Sequence, residues 1–537
     1  MKSKFIIIVL LFQLISFVSC KKYLEPTTYS ITTTDSYYKS ASDAETALTG
    51  VYSMLLNTNT FGQDLTEFMY LGSTDEAGVN SASVDRTPFG NCGVDPTNVM
   101  LNNVWNRFFA GINRANYLLE NIGNIKNFTG NRAIQMQAEA RLLRAVYHFY
   151  LAESFGAIPT YTTSAQDASK ARQPLSEVYP LIIDDLTFAY NNLPNRNTIA
   201  GRVNKWTAGG FLARVYTYLA SAKTNNVPDF GKQFNSFDWV NAQDLYTKAK
   251  TLTTSIIDSS GYILISDFSK LFRESTKTDQ YQECMFVVES STNPSLNTWV
   301  TIINCLAPPG NRDVNGGSSG QFRPLAELYY KFNNADFRFK HSLTASYRNT
   351  GTPFETVGGV KYYIPDTVTV PSAATYAMGK FRQVDPTLKT GLPNYVSYLS
   401  FPLLRFADII LLHAEALYFT GDEIGARADL TKVRQRAVKS GYTVADLNTA
   451  YRKTNFVDEL LDERSRELCF ECIRRFDLAR FNKYDQVIRG LSSSASYGFY
   501  NKVVTTMQTN WKPERIWWPI PQSQLDLNPN LVQNAGY

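Results

Sequence analysis

Only three histidines occur in the 537-residue chain. They scatter as His148, His341 and His413, which leaves histidine-based catalysis or metal binding little to draw on. Cysteine is scarce too, at six residues. Beyond Cys20 these are Cys92, Cys284, Cys305, Cys469 and Cys472, an odd set whose irregular spacing does not read as a disulfide framework. After the first twenty residues no apolar run approaches the length of a membrane-spanning helix. The formal net charge of +5 is small and dispersed, and Lys2 and Lys4 supply part of it, so nucleic acid is not an expected partner. No H-E-x-x-H, P-loop or dinucleotide fingerprint is present, and no cofactor or metal is expected.

What the chain does have is the composition of a folded globular protein, with 44% hydrophobic and 19% charged residues. Aromatics are abundant, at 33 Phe, 32 Tyr and 7 Trp; most must build a core, and a surplus of Tyr and Trp suits flat contact surfaces. The N-terminus is distinctive. Lys2 and Lys4 precede an apolar run from Phe5 to Val18, broken only by Gln13 and Ser16, and Phe17-Val18-Ser19 leads into Cys20. That order of charge, apolar stretch and small residue marks residues 1–19 as an export signal. With a cysteine at the cut it resembles a bacterial lipobox. The expectation is a lipid-modified Cys20 as the new N-terminus, and a protein that works outside the cytoplasm tethered to a membrane.

Lys21 to Thr34 is a polar, Thr-rich tether. Helical periodicity then dominates, predicting helices near 42–56, 98–121, 131–154, 175–192, 205–222 and 240–255. After Ser260 the texture changes: Tyr262-Ile263-Leu264-Ile265 and Met285-Phe286-Val287-Val288 read as short strands, and Gly, Pro, Asn and Ser crowd 291–320. Helices resume at 325–332, 408–420, 423–439 and 457–481. Around Gly421-Asp422 one helix meets another that presents Ala426 and Ala428, the packing logic of tetratricopeptide-like pairs. The predicted fold is mainly α: a superhelix of paired, tetratricopeptide-like helices with a loop-rich insertion containing short strands. The expected division is a region over 20–260 and another over 261–537, packed as one body.

Several constellations suggest chemistry and lose it on inspection. Gly316-Gly317-Ser318-Ser319-Gly320 matches a nucleophile elbow, but turn-forming residues precede it where a strand is required. Cys469-Phe470-Glu471-Cys472 falls in an amphipathic run with no further zinc ligands near, and reads as mid-helix core thiols. Asp458-Glu459 and Asp462-Glu463 alternate with Arg464, Arg466 and Glu467 at helical spacing, which reads as intrahelical ion pairs. Trp105, Trp206 and Trp239 read as core residues on helical faces. No residue is assigned a catalytic role.

Distributed motifs resemble those of the SusD/RagB lipoproteins over nearly the whole mature chain. They run from Gln137-Ala138-Glu139-Ala140-Arg141 with Leu142-Leu143-Arg144-Ala145, through Phe155-Gly156-Ala157-Ile158-Pro159, to Arg323-Pro324-Leu325-Ala326-Glu327-Leu328 with Asp336 and Arg338. Arg405-Phe406-Ala407-Asp408 leading to Ala414-Glu415-Ala416-Leu417, then Glu463-Arg464, Glu467-Leu468, Arg475 and Phe476-Asp477-Leu478, continue the pattern. Pro519-Ile520-Pro521 through Asn528-Pro529 to Gln533-Asn534-Ala535-Gly536-Tyr537 closes it. Lys21-Lys22 departs from the acidic stretch usual after the lipidated cysteine. Physically most of these residues read as scaffold, with Arg475 and Asp477 anchoring helix ends.

The resemblance implies nutrient capture at the bacterial outer membrane, on the cell surface. It implies a non-enzymatic protein that binds oligosaccharide or other nutrient ligands and serves a SusC-like, TonB-dependent β-barrel transporter. A surface glycan hydrolase and a protein-only helical scaffold are the alternatives. Ligand contacts are expected in the least regular segments, 72–98 and 293–322. There Asp75, Asp85, Arg86 and Asn91 are candidates to hydrogen-bond sugar hydroxyls, and Phe89 or Trp299 to stack on a sugar ring.

Overall fold

The computed structural model describes residues 37–79, 83–197, 199–290, 306, 322–345, 354–357, 360–363, 376–381, 399–492 and 499–537. Cys20, Cys305, Trp299 and Gly316 to Gly320 lie outside the described residues.

The first half is a run of helices with polar caps. Helix α1 (Ala41–Tyr52) begins on Ser40, whose hydroxyl accepts the Asp43 N–H while the Asp43 carboxylate accepts the Ser40 N–H; two orphan donors are satisfied at once. At α2 (Val99–Asn121) the Asn98 side chain accepts the Met100 N–H, and Asn204 caps α5 (Lys205–Thr224) with Thr207 in the same reciprocal way as Ser40. Between them lie α3 (Arg132–Phe155) and α4 (Leu175–Asn192), and α6 (Ala242–Ser259) follows. The second half contributes α7 (Phe406–Phe419), α8 (Glu423–Gln435), α9 (Val444–Tyr451), α10 (Phe456–Leu468), α11 (Arg474–Arg480), α12 (Tyr484–Gly490) and α13 (Phe499–Asn510). Each helix from α2 to α6 packs on the next, and α7 packs on both α6 and α8. The result is a superhelix of paired helices, with α3 buried on nearly every side beyond Met136.

Strands are short and come in pairs: β1 (Ala77–Val79) with β3 (Phe322–Pro324), β2 (Cys284–Val288) with β8 (Phe401–Arg405), β4 (Leu343–Ala345) with β7 (Tyr376–Met378), and β5 (Phe354–Val357) with β6 (Val360–Tyr363). One apolar core cluster runs from Ala44 to Leu531 through both halves. The C-terminal segment is locked into it. Asn534 donates to the carbonyls of Phe155 and Trp518 and accepts from Arg172 at 2.7 Å.

Three local expectations fail. The helix expected over 457–481 is two helices, α10 and α11, parted by a turn in which Phe470 and Cys472 have φ of 63° and 64°; Cys469 and Cys472 are therefore turn residues. Tyr262 to Ile265 is not a strand, and Ile263 makes a lone backbone bond to Gln282 at 3.0 Å. Trp239 lies in a loop and is 38% exposed, whereas Trp105 and Trp206 are core residues on helices.

Close helix contacts depend on glycine. Gly156, at φ +73°, ends α3, and a Cβ there would fall 2.4 Å from the Asn235 Oδ1 that accepts the Ala157 N–H. On α2, a Cβ at Gly111 would stand 2.7 Å from the Tyr147 ring, and that ring is held by its hydroxyl bond to the Val51 carbonyl at 2.6 Å. Overpacking costs about 1–3 kcal/mol, against a helix-propensity gain of about 1 kcal/mol for alanine over glycine. Gly111→Ala is therefore expected to be destabilising on balance, read as a lower urea midpoint; an unchanged or raised midpoint would show that Tyr147 yields freely.

Candidate functional site

Of the stretch 293–322 singled out in the sequence, the described residues are 306 and 322, and Phe322 pairs with the other stretch, 72–98. The β1–β3 ladder pairs Ala77 with Pro324, Gly78 with Arg323 and Val79 with Phe322, and the Leu325 N–H donates to the Glu76 carbonyl at 3.0 Å. The 72–98 stretch is cross-braced. Ser73, at φ 59°, donates its hydroxyl to the Phe89 carbonyl and accepts the Cys92 N–H at 3.2 Å. The Asn98 side chain donates to the Asp85 carbonyl at 2.8 Å. Bracing of this kind holds a loop in one conformation on a rigid scaffold.

The predicted residues take different places around this ladder. Asp75 is buried, with Oδ1 and Oδ2 each accepting from Arg474 at 2.7 Å and Oδ2 also from Lys331 at 2.6 Å. Burial alone would raise its carboxyl, but Arg474 and Lys331 override that and hold it well below the usual carboxylate range. Its oxygens are committed to protein rather than offered to hydroxyls. Phe89 is fully buried, its ring edge-on to Trp518 at 5.2 Å, so the core takes the face a sugar would need. Asp85 and Arg86 are half-buried. Next to Arg86, burial raises the Asp64 carboxyl to about 6, with Arg86 partly opposing. Asn91 is half-buried as well; its Oδ1 accepts the Gly93 N–H at 3.0 Å, and its carbonyl accepts from Asn510 at 3.0 Å. Trp299 lies outside the described residues. Unforeseen is Tyr330, 64% exposed on the short helix Ala326–Tyr330 that follows β3. Nothing in its apolar surroundings in the sequence sets it apart from a core tyrosine.

Next to Asp75 opens a groove of ≈ 370 Å³, within the range of small-ligand sites. Lys331 and Arg474 line it with Asp75, and Leu461, Leu478 and Val487 add apolar surface.

The carboxylates of α10 are mostly not paired within their helix. Glu463–Arg466 is an intrahelical pair. Glu467, by contrast, takes Arg338, Arg405 and Arg436 from three other segments, and Arg464 bridges Asp408 and Asp477. Burial would raise Glu467, yet the three guanidiniums hold it at about 2. This network welds α10 to the strands and helices around it.

One surface constellation has hydrolase-like spacing. His413 Nδ1 lies 2.6 Å from Asp429 Oδ2, and its Nε2 lies 3.1 Å from Thr254 Oγ1. Thr254 is mid-helix, its hydroxyl donating to the Lys250 carbonyl at 2.8 Å. The helix uses its own N–H groups, so it offers the hydroxyl no oxyanion donor. Cys92, Cys284, Cys469 and Cys472 are buried. Burial pushes the Cys469 thiol up to about 12, which makes it unreactive. Among the described residues no cluster of His, Cys, Asp and Glu is placed to hold a metal, and no helix is long and apolar enough to cross a membrane.

Comparison with known proteins identifies the architecture. A model described as the SusD family matches residues 282–537, and one described as starch-binding, associating with outer membrane, matches residues 22–217. A SusD-like protein of Formosa agariphila is 25% identical over 100% of both chains. The starch-binding protein SusD of Bacteroides thetaiotaomicron is 23% identical over 81% of this chain and 78% of its own. Among solved structures, a SusD homolog from Bacteroides thetaiotaomicron superposes with a TM-score of 0.73 at 21% identity, covering 94% of this chain and 98% of the other. A laminarin-binding SusD-like protein superposes with a TM-score of 0.67 at 22% identity, covering 93% and 100%. At these identities the structural matches establish the fold.

Proposed function

Since the chain belongs to the SusD family, we propose that it is a lipoprotein of the outer membrane that binds nutrient oligosaccharides. Cys20 anchors it, the body faces the cell exterior, and the bound sugar passes to a TonB-dependent β-barrel transporter. The observation that carries the reading is the β1–β3 ladder, which joins Val79 of the 72–98 stretch to Phe322 and supports ligand contacts near that junction. Tyr330, exposed just beyond β3, offers a face on which a sugar ring can stack. The starch-binding and laminarin-binding relatives support a glycan as the ligand class.

Two measurements test this. Cys20→Ser should move the protein from the membrane to the soluble fraction, and retention in the membrane would remove the lipid anchor from the reading. Calorimetric titration of the purified full chain in detergent with starch- and laminarin-derived oligosaccharides should show binding without release of new reducing ends. Tyr330→Ala should weaken that binding by about tenfold, as loss of a stacking ring does. No binding to any oligosaccharide would overturn the reading, and release of reducing ends would favour a hydrolase.

A further inference from the structure

A second cavity, of ≈ 30 Å³, lies where the two halves of the chain meet. From the first half, α3 supplies Glu153 to its lining and α5 supplies Arg214 and Thr217. From the second, α10 supplies Arg464, and α11 supplies Asp477 and Arg480. Glu153 is 6% exposed and Thr217 is fully buried. A space of this size admits about one or two water molecules, and cavities that stay dry are walled by apolar groups.

This wall is largely ionic. Arg214 Nη2 donates to Asp408 Oδ2 at 2.7 Å and to the Leu403 carbonyl at 3.0 Å. Arg480 Nη2 donates to Asp477 Oδ1 at 2.9 Å, and its Nη1 donates to Glu415 Oε1 at 2.5 Å. Both guanidiniums also act on Glu153, but burial dominates there and pushes its carboxyl well above the ordinary range, with Asp477 and Asp408 adding to the rise. A carboxyl that keeps its proton can both donate and accept, which suits a water neighbour. Thr217 Oγ1 donates to the Ala213 carbonyl at 3.0 Å and keeps lone pairs with which to accept. Left dry, Glu153 would give up its hydration on folding, the costly case for a buried polar group.

We propose that this cavity is a water site, in which water bridges Glu153 and Thr217 of the first half to Arg480 of the second. The two halves are then joined here through solvent as well as through direct ion pairs. The proposal stands apart from the oligosaccharide-binding reading and survives if that reading fails.

The test is diffraction from crystals of the full chain in detergent, in ordinary buffer and under xenon pressure. Solvent density should lie within hydrogen-bond distance of the Glu153 carboxyl and of Arg480, and xenon should stay out. Xenon density in the cavity overturns the proposal. So does a Glu153 carboxylate closed directly onto Arg214 or Arg480 with no solvent between them. Urea unfolding of variants gives a second reading that needs no crystal. Glu153→Gln should leave the midpoint in place, because an amide also donates and accepts. Glu153→Leu should raise the unfolding constant about fivefold, the scale of one hydrogen bond lost. A midpoint at or above wild type for Glu153→Leu would mean that the carboxyl has no partner to lose, and the site is dry. A Glu153→Gln loss as large as that of Glu153→Leu would mean a direct ion pair in place of water. Should Glu153→Leu fail to fold, Thr217→Val decides: its crystals should show the solvent density weakened or shifted, and density unchanged from wild type overturns the bridge.

Discussion

Replacing Arg405 by methionine is expected to cost the fold about 3–5 kcal/mol, the range for removing one partner of a buried ion pair. Arg405 is 1% exposed, so the small values typical of surface pairs do not apply. Its Nε and Nη2 each lie 2.7 Å from Glu471, its Nη1 2.7 Å from Glu283 and 3.0 Å from Glu467, and its Nη2 donates to the Glu467 carbonyl at 3.1 Å. The variant leaves Glu283 to Arg436, Glu471 to Lys380, and Glu467 to Arg338 and Arg436. With Asp336 also on Arg338, four buried carboxylates then share three cations. Arg405→Lys should recover little, because a single ammonium cannot reproduce the fork that spans Glu471 and Glu283. Urea unfolding of wild type and both variants gives the comparison. A loss below about 1 kcal/mol, the scale of a solvated pair, would mean that water reaches this cluster.

That network also explains where the sequence misleads. Periodicity alone carries the helix through Cys469 to Cys472, because amphipathic spacing continues and neither glycine nor proline interrupts it. The break comes from distant partners. Lys380 donates to the carbonyls of Glu467 and Cys469 at 2.8 and 3.0 Å, and Glu76 accepts the Phe470 N–H. Those bonds hold Phe470 and Cys472 in a left-handed backbone that their own side chains disfavour. Reading the α10 charges as intrahelical pairs fails for the same reason: the partners of Glu467 lie on segments remote in sequence. Features set by local chemistry fare better. Helix α4 spans 175–192 as its pattern predicts, and Gly156 ends α3 because only glycine fits there. The segments on either side of β1 were legible as irregular, and the ladder joins Val79 to Phe322. Their individual residues were not, since residue type cannot tell a solvent-facing Asp or Phe from Asp75 on Arg474 or Phe89 on Trp518.

Acidification should first stabilise the fold slightly and then destabilise it steeply. Asp64 has its carboxyl raised by burial to about 6 from an ordinary 3.8. Between those values the native state holds more protons than the unfolded chain, so stability rises as pH falls through that window. Asp408 and Glu467 behave oppositely. Burial would raise both, but Arg214 and Arg464 hold Asp408 at about 2, and Arg436, Arg405 and Arg338 hold Glu467 at about 2, against ordinary values of 3.8 and 4.5. For these the unfolded chain binds protons first, so their contribution is full above pH 4.5 and is lost as pH falls toward 2. Asp75 and Glu463, held down by their own cations, add to that loss. Glu153 and Glu415, raised by burial, soften it. The steep side wins because each depressed carboxylate is gripped by at least two cations, and protonating it leaves those cations buried without a counter-charge. Thermal unfolding across pH should therefore peak near about pH 5 and fall sharply below about pH 4. Asp408→Asn should be less stable at neutral pH yet lose less on acidification. An acid limb as steep as that of wild type would show that the pairs at Arg214 and Arg464 do not set it.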